Sequence, residues 1–369
     1  MSQKEKTVYV GMSGGVDSSV AAALLLEAGY TVVGVTLRLW EEKRPIAAAN
    51  PEKICCSLSA VNEAKMVCQQ LNIPHKMLDL QPEFRRWVVN NFIEEYFRGR
   101  TPNPCVLCNT KIKWESFLAR VQSWGGGLVA TGHYARVAYD TDSGRYRLLR
   151  GKDRWKDQSY ALWGLSQESL SRTLFPLGEL TKAEVRALAE KFNLRTAQKQ
   201  ESQEICFIPD NDYNRFIRQE APEAAKGLAE GEIVDVEGSR LGTHRGYPFY
   251  TIGQRKGLGI AVGEPVYVAE IDPSANRLVV GRKKDLYRRG LVAERVNWVA
   301  LSGLEKPRRA FVKIRYKDPG SFAHLQPISD GRVRVIFDAP QRAVTPGQSV
   351  VFYEDDLVLG GGIIQESIR

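Results

Sequence analysis

Cysteine is scarce in this chain, with six among 369 residues, too few for the disulfide framework of a secreted scaffold. Long apolar runs are absent as well. No stretch approaches the ~18 residues that a membrane span requires, and the opening MSQKEKTVYV lacks the apolar core of a secretory leader. The expectation is a cytoplasmic protein with no membrane partner. There is no internal repeat and no long low-complexity linker. Histidine is rare too, at four residues.

What is present is ample apolar material, 43% of the composition, and a length suited to about two or three domains. The formal net charge is +9, and it is not evenly spread. Gly281 to Gly320 holds 12 Lys or Arg against four acids, a net of +8. A basic stripe attracts phosphate backbones by releasing counterions, which makes nucleic acid a leading partner; a solvated basic face is the plainer reading.

The chain opens with a βαβ pattern. KTVYV reads as a buried strand, GMSGGVDSS as a loop, SVAAALLLEAG as a helix ended by Gly29, and TVVGVTLRL as a second strand. The alternation continues with a helix near Leu58 to Leu71, a strand His75 to Leu80, an amphipathic helix Glu83 to Phe97 and a strand near Leu128 to Thr131. It predicts a doubly wound parallel sheet. In LTKAEVRALAEKFN, Thr181 and Glu184 stand at capping-box spacing, and this helix closes the first domain. After Pro209 short strands with Gly/Pro turns take over. The expected domains are 1–208 (α/β), 209–284 (β-rich) and 285–369 (a C-terminal β-barrel).

Two motifs carry chemistry. SGGVDSS, Ser13 to Ser19, lies between a strand and a helix, where backbone amides and the helix dipole hold anions. Gly14 and Gly15 allow close backbone approach, and Ser18 and Ser19 supply hydroxyls. A Walker A loop would end in GKS or GKT, which this one does not. The other motif is TPNPCVLCN, Thr101 to Asn109, with Cys105 and Cys108 two residues apart in a loop stiffened by Pro102 and Pro104. Such a pair serves as a zinc clip, a redox couple, iron–sulfur ligands or a sulfur-handling centre. No second CxxC or His pair lies nearby to close a zinc site. A thiol with a pKa near ~8.5 needs a cation or a helix N-terminus to act as a nucleophile, and Lys111 and Lys113 are close in sequence. Cys206, in ESQEICF, is a third candidate. Cys68, on the apolar side of a helix, reads as a core residue, and Cys55 and Cys56 read as structural.

SGGVDSS resembles the PP-loop of ATP pyrophosphatases, which split ATP between its α and β phosphates. In order along the chain, SGGVDSS, TPNPCVLCN, TGHYAR, KDQSY, ESQEICF, YTIGQRKGLGI, VKIRYKDPG and VTPGQSVVFYE resemble the bacterial tRNA-uridine 2-sulfurtransferases, from about Val8 to Ile364. The resemblance implies ATP-dependent 2-thiolation of the wobble uridine in tRNA for Lys, Glu and Gln. ATP with Mg²⁺ would be held by Gly11, Met12, Ser13, Gly14, Gly15, Val16, Asp17 and Ser18, with Leu37 and Gly132 at the same pocket. Leu37 stands where some relatives have methionine.

By the same resemblance, Cys108 would be the nucleophile and Cys206 the acceptor of persulfide sulfur from a cysteine desulfurase or relay protein, the two closing a disulfide on product release. Asn103, Pro104 and Cys105 would surround the flipped base. His133, Lys156, Asp157, Gln158, Arg315, Tyr316 and Gln348 match tRNA-contacting positions, which would make the 285–369 barrel tRNA-contacting. Cys105 is a departure, because better-known relatives carry an acid there. A second route is therefore open, in which Cys105, Cys108 and Cys206 ligate a [4Fe-4S] cluster. Two rival functions are a PP-loop synthetase acting on a small metabolite, which leaves the thiols and the basic segment idle, and a non-catalytic RNA-binding module with a zinc clip, which leaves the phosphate loop idle.

Overall fold

The computed structural model describes residues 7–41, 58–200 and 205–369. Cys55, Cys56 and the first part of ESQEICF lie outside them. The chain forms two compact units. The first comprises Met1–Val88, Cys105–Asn211 and Asp356–Val358; the second comprises Val89–Pro104, Asp212–Asp355 and Leu359–Arg369.

The first unit is built on a parallel sheet. Its opening strands are β1 (Thr7–Gly11), β2 (Thr31–Arg38), β3 (His75–Asp79) and β4 (Leu128–Ala130). A hairpin follows, β5 (Ala135–Asp140) with β6 (Arg145–Arg150), and then the short β7 (Thr173–Leu174). The sheet order is β3-β2-β1-β4-β7, all parallel, as the alternation of strand and helix predicts. Val8, Val10, Val32 and Ala130 are buried, because helices cover both faces of such a sheet and leave its strands nearly all apolar. The antiparallel β5–β6 hairpin is an addition that the βα periodicity did not announce.

Helix α1 (Val16–Glu27) follows β1, and α2 (Leu58–Gln70) follows β2. Met12, Ala22, Ala64, Val67 and Cys68 pack into one core with β1. Cys68 is fully buried, and burial pushes its thiol up to about 11, so the core reading of that residue holds.

The predicted helix over 83–97 is three segments. These are α3 (Gln81–Phe84), a π-helical turn Arg85–Val89 and α4 (Asn90–Phe97). A second such run joins α5 (Pro104–Leu107), a π-helical stretch Cys108–Phe117 and α6 (Leu118–Ser123). Then come α7 (Gln167–Ser171) and α8 (Lys182–Lys191). The α8 capping box is present as predicted: Thr181 accepts from the Glu184 amide, and the Glu184 side chain accepts from the Thr181 amide. Caps of this kind stabilise a helix by about 1 kcal/mol.

The second unit holds α9 (Tyr213–Glu220), α10 (Pro222–Lys226) and two β modules. One is a four-stranded sheet, in the order β10 (Tyr267–Asp272), β11 (Arg277–Gly281), β8 (Gly231–Val234), β9 (Arg240–His244). The other comprises β12 (Tyr287–Trp298), β13 (Arg308–Lys313), β14 (Ser321–Pro327), β15 (Val333–Arg342), β16 (Ser349–Glu354) and β17 (Leu357–Ile368). The order β12-β15-β14-β13-β16-β17 closes on itself through β12–β17, so the expected C-terminal barrel is a closed one of six strands. Closure removes the exposed strand edges.

Candidate active site

The phosphate loop is shorter than its sequence suggests. Helix α1 starts at Val16, capped by Gly15 in an extended conformation, so Asp17 and Ser18 stand in the first helical turn. Gly14 has φ +70°, and a Cβ there would meet the Ala60 carbonyl oxygen at 2.4 Å. Only glycine fits. The Ser13 amide donates to Ser18 Oγ at 3.3 Å, the two hydroxyls lie 3.2 Å apart, and the Ser18 and Ser19 hydroxyls donate to the Gly15 carbonyl at 3.1 and 2.9 Å. The result is a compact turn, tied by its own hydroxyls, at the start of a helix, the place where backbone amides favour an anion.

The residues expected from sequence to hold ATP stand in different settings. Met12 and Val16 are buried in the core, so they shape the loop by packing. Gly11 continues β1. Leu37 lies on β2 opposite Leu78. Gly132 comes close to the loop: a Cβ on it would fall 2.7 Å from the carbonyl carbon of Asp17 and 2.8 Å from the Ser18 amide nitrogen. Neighbouring Tyr134 donates its hydroxyl to Asp17 Oδ1 at 2.8 Å. TGHYAR thus belongs to the cradle.

The segment TPNPCVLCN is not a plain loop. Helix begins at Pro104, the position where a fixed φ and a missing N–H are tolerated; Cys105 lies in the four-residue α5, and Cys108 opens the π-helical stretch that follows. Cys105 is exposed, and Cys108 is partly so.

The two lysines expected to help are otherwise engaged. Lys111 pairs with Glu115 at 2.7 Å and lies over the Trp87 ring. Lys113 reaches His133 Nε2 at 3.4 Å.

Cys206 belongs to the same unit and is fixed by its neighbour. Phe207 is buried against Phe84 and Trp40, with ring centres 5.5 and 6.2 Å away. Cys105, Cys108 and Cys206 are thiols in this structure. Among the described residues, no three His, Cys, Asp or Glu side chains gather closely enough to hold a metal ion. The three cysteines therefore do not stand assembled as cluster ligands.

His133 is packed beside Trp114 and Phe175. Desolvation, helped by the Lys113 ammonium, holds its imidazole well below the usual value of 6.5. An ammonium has no acceptor, so Nε2 accepts from Lys113 and the Nδ1 proton goes to Thr131 Oγ1, 2.7 Å away. Any contact His133 makes with RNA is that of a neutral ring.

Asp157 is buried, accepting from the amides of Gly151 and Ser159 and from the Ser159 hydroxyl. Gln158 accepts from the Tyr134 amide at 2.9 Å. As placed, both brace the loop and TGHYAR, while Lys156 is partly exposed. Trp155 beside them is 94% exposed. The sequence reading passed over it, although an aromatic flanked by Arg154 and Lys156 is a signal for base stacking.

In the second unit Asn103 is partly exposed and Pro104 is buried. Gln348 donates its amide to the carbonyls of Thr101 and Pro102 at 3.1 and 2.8 Å. Thr101 in turn donates its amide to the Pro346 carbonyl at 2.9 Å. The VTPGQ segment thus clasps the residues that lead into the cysteine helix. Arg315 donates to the Arg342 carbonyl, and Tyr316 is 40% exposed.

The basic stripe is partly neutralised. Arg282, Arg308 and Arg309 pair with Glu264, Glu354 and Asp338, acids that lie outside the Gly281 to Gly320 segment.

A parallel sheet whose first strand-to-helix turn is a glycine–serine anion cradle, followed by a β module and a closed barrel, defines the class: a PP-loop nucleotide-binding protein with β appendages. Three family models tile the chain. One described as tRNA methyl transferase HUP domain matches residues 6–210, one described as tRNA methyl transferase PRC-barrel domain matches 214–282, and one described as aminomethyltransferase beta-barrel domain matches 288–364. A tRNA-specific 2-thiouridylase MnmA of Carboxydothermus hydrogenoformans is 50% identical over 364 residues, 98% of each chain. One of Heliobacterium modesticaldum is 51% identical over 365 residues, 99% of this chain and 94% of that one. The chain belongs to the family of tRNA-specific 2-thiouridylases. Among the described residues no helix is long and apolar enough to cross a membrane.

Proposed function

We propose that this protein makes 2-thiouridine at the wobble position of tRNA for Lys, Glu and Gln, in two steps served by two parts of the first unit. The observation that carries the proposal is the presence in one compact unit of a glycine–serine turn at a helix start and the thiols Cys105, Cys108 and Cys206.

In the first step the C2 oxygen of uridine attacks the α-phosphorus of ATP, the bond to the bridging β-oxygen breaks, and pyrophosphate leaves from the Ser13–Ser18 cradle. An AMP-bearing oxygen departs far more readily than a bare carbonyl oxygen. Asp17 is an oxygen donor suited to Mg²⁺, a cation that takes one or two carboxylates together with phosphate oxygens. When bound, Mg²⁺ would offset phosphate charge.

In the second step a persulfide on Cys206, loaded by a cysteine desulfurase or relay protein, attacks C2 through its outer sulfur and AMP leaves with the oxygen. The Cys108 thiolate then attacks the inner sulfur. The S–S bond breaks, its electrons stay on the thiouridine sulfur, and a Cys108–Cys206 disulfide forms. A thiol reductant supplies the two electrons that reset it. Asn103 and Cys105 border the flipped base, with Lys156, Tyr316 and the exposed face of Trp155 meeting RNA.

Cys105→Asp tests the route, since it installs the acid that relatives carry there. Purified without oxygen and supplied with a persulfide donor, this variant is expected to thiolate tRNA at close to the wild-type rate with little bound iron. Loss of thiolation together with loss of stoichiometric iron from the wild type would favour the cluster route instead.

A further inference from the structure

The phosphate loop carries no cation of its own. Residues 12–19, MSGGVDSS, include one acid and no Lys or Arg, whereas a Walker loop brings its lysine within the motif. A departing pyrophosphate carries about three negative charges at neutral pH, and enzymes stabilise such leaving groups with fixed cations. Among the described residues, two ammonium groups reach this loop from far along the chain.

Lys182 Nζ donates to Asp17 Oδ1 at 2.6 Å, and its side chain is 13% exposed. Lys199 Nζ donates to the Gly14 carbonyl at 3.0 Å. Both are held in place. Lys182 opens α8, and its own amide donates to Asp153 at 2.9 Å. Helix α8 packs on α1 through Val185 and Ala189 against Val16, Val20 and Ala21. The backbone carrying Lys199 is gripped by Arg186, which donates to the carbonyls of Ala197 and Lys199 at 3.0 and 3.4 Å.

We propose that Lys182 and Lys199 form a two-ammonium clamp on the β- and γ-phosphates of ATP and hold the pyrophosphate as it leaves. Without nucleotide, each ammonium rests on a weaker anionic or polar partner of the loop itself, one carboxylate oxygen and one carbonyl oxygen. The phosphates take over both. A mostly buried ammonium costs desolvation wherever it sits, and placing two of them at the cradle in advance lowers the reorganisation needed when the anion arrives. The clamp rests on the reading of SGGVDSS as an ATP pyrophosphatase loop.

The test is calorimetric titration of the full-length protein with pyrophosphate and, separately, with AMP, both in the presence of Mg²⁺. The variants are Lys182→Met and Lys199→Met, with Lys191→Met as an equal-charge control on the exposed end of α8, where Lys191 pairs with Glu27. The clamp predicts that pyrophosphate binds about 30-fold more weakly to either clamp variant while AMP affinity stays within about threefold, as expected when a charge-assisted contact to one ligand alone is lost. The control leaves both affinities unchanged.

Lys199→Met removes no ion pair with Asp17, so it reports on the clamp even if Lys182→Met unfolds. Pyrophosphate affinity unchanged in Lys199→Met, or AMP and pyrophosphate weakened equally, overturns the clamp. A wild-type protein that binds neither AMP nor pyrophosphate overturns the phosphate-loop reading itself, and the clamp falls with it.

Discussion

The phosphate loop and the cysteine segment are built by opposite means. The loop is local, with a strand, four residues and a helix start producing the cradle, and Gly14 in a left-handed conformation fixing its shape. TPNPCVLCN takes its form from elsewhere in the chain. Pro104 starts a helix that winds as a π-helix from Cys108, and the residues before it are clasped by Gln348, more than two hundred positions later. An anion needs converging amides, which a short turn supplies. A sulfur nucleophile needs exposure and exact placement, which a scaffold must supply.

The contrast is broken most directly by a pair of matched glycine substitutions. Gly14→Ala sets a Cβ 2.4 Å from the Ala60 carbonyl at φ +70°, a conformation that costs a residue with a Cβ about 1–2 kcal/mol before the clash is counted. It should abolish ATP-dependent pyrophosphate release and thiolation together. Gly347→Ala sets a Cβ 2.7 Å from the Thr101 carbonyl at φ +90°, and it should cut thiolation at least about tenfold while sparing nucleotide binding, since the strain falls on the clasp. Equal loss of nucleotide binding in both variants would end the distinction.

Gln348→Ala is milder, removing two hydrogen bonds worth about 1 kcal/mol each. Single-turnover thiolation should slow about fivefold to tenfold, with pyrophosphate release from ATP unchanged.

His133 gives a pH signature. Its folded pKa is lowered below 6.5, so below about pH 6.5 the unfolded chain binds a proton that the folded one does not. Stability contributed by the neutral ring is present above that pH and is lost as pH falls towards the folded pKa. The melting temperature should drop between pH 7.5 and 5.5, and His133→Gln should flatten that drop; an unchanged slope would remove His133 from the account. His75 and His244, both also lowered chiefly by burial, give the residual slope.

Smallest is Trp155→Ala. Loss of one stacking platform, worth about 1–3 kcal/mol, should raise KM for tRNA about fivefold or more and leave KM for ATP unchanged, whereas Trp155→Phe should retain most of the affinity.

The parallel sheet, the α8 cap and the phosphate loop were legible because each is written in neighbouring residues: apolar runs, Thr181 with Glu184, glycines between a strand and a helix. Cys68 was legible from helical periodicity. The contributions of Lys182 and Lys199 to the cradle were not, because they come from residues 165 and 185 positions away and LTKAEVR announces only a helix cap. The inward roles of Asp157 and Gln158 were hidden as well, since KDQ in sequence resembles a polar surface loop. The acids that pair with Arg282, Arg308 and Arg309 were not legible as their partners, because they lie outside the counted Gly281 to Gly320 segment.

The division of labour between cradle and thiols is tested most directly by Cys108→Ser in a single turnover with γ-labelled ATP, a persulfide donor and unmodified tRNA. The account predicts pyrophosphate release near the wild-type rate and no free 2-thiouridine. Thiouridine formed at the wild-type rate, or loss of pyrophosphate release along with thiolation in a folded variant, would contradict it.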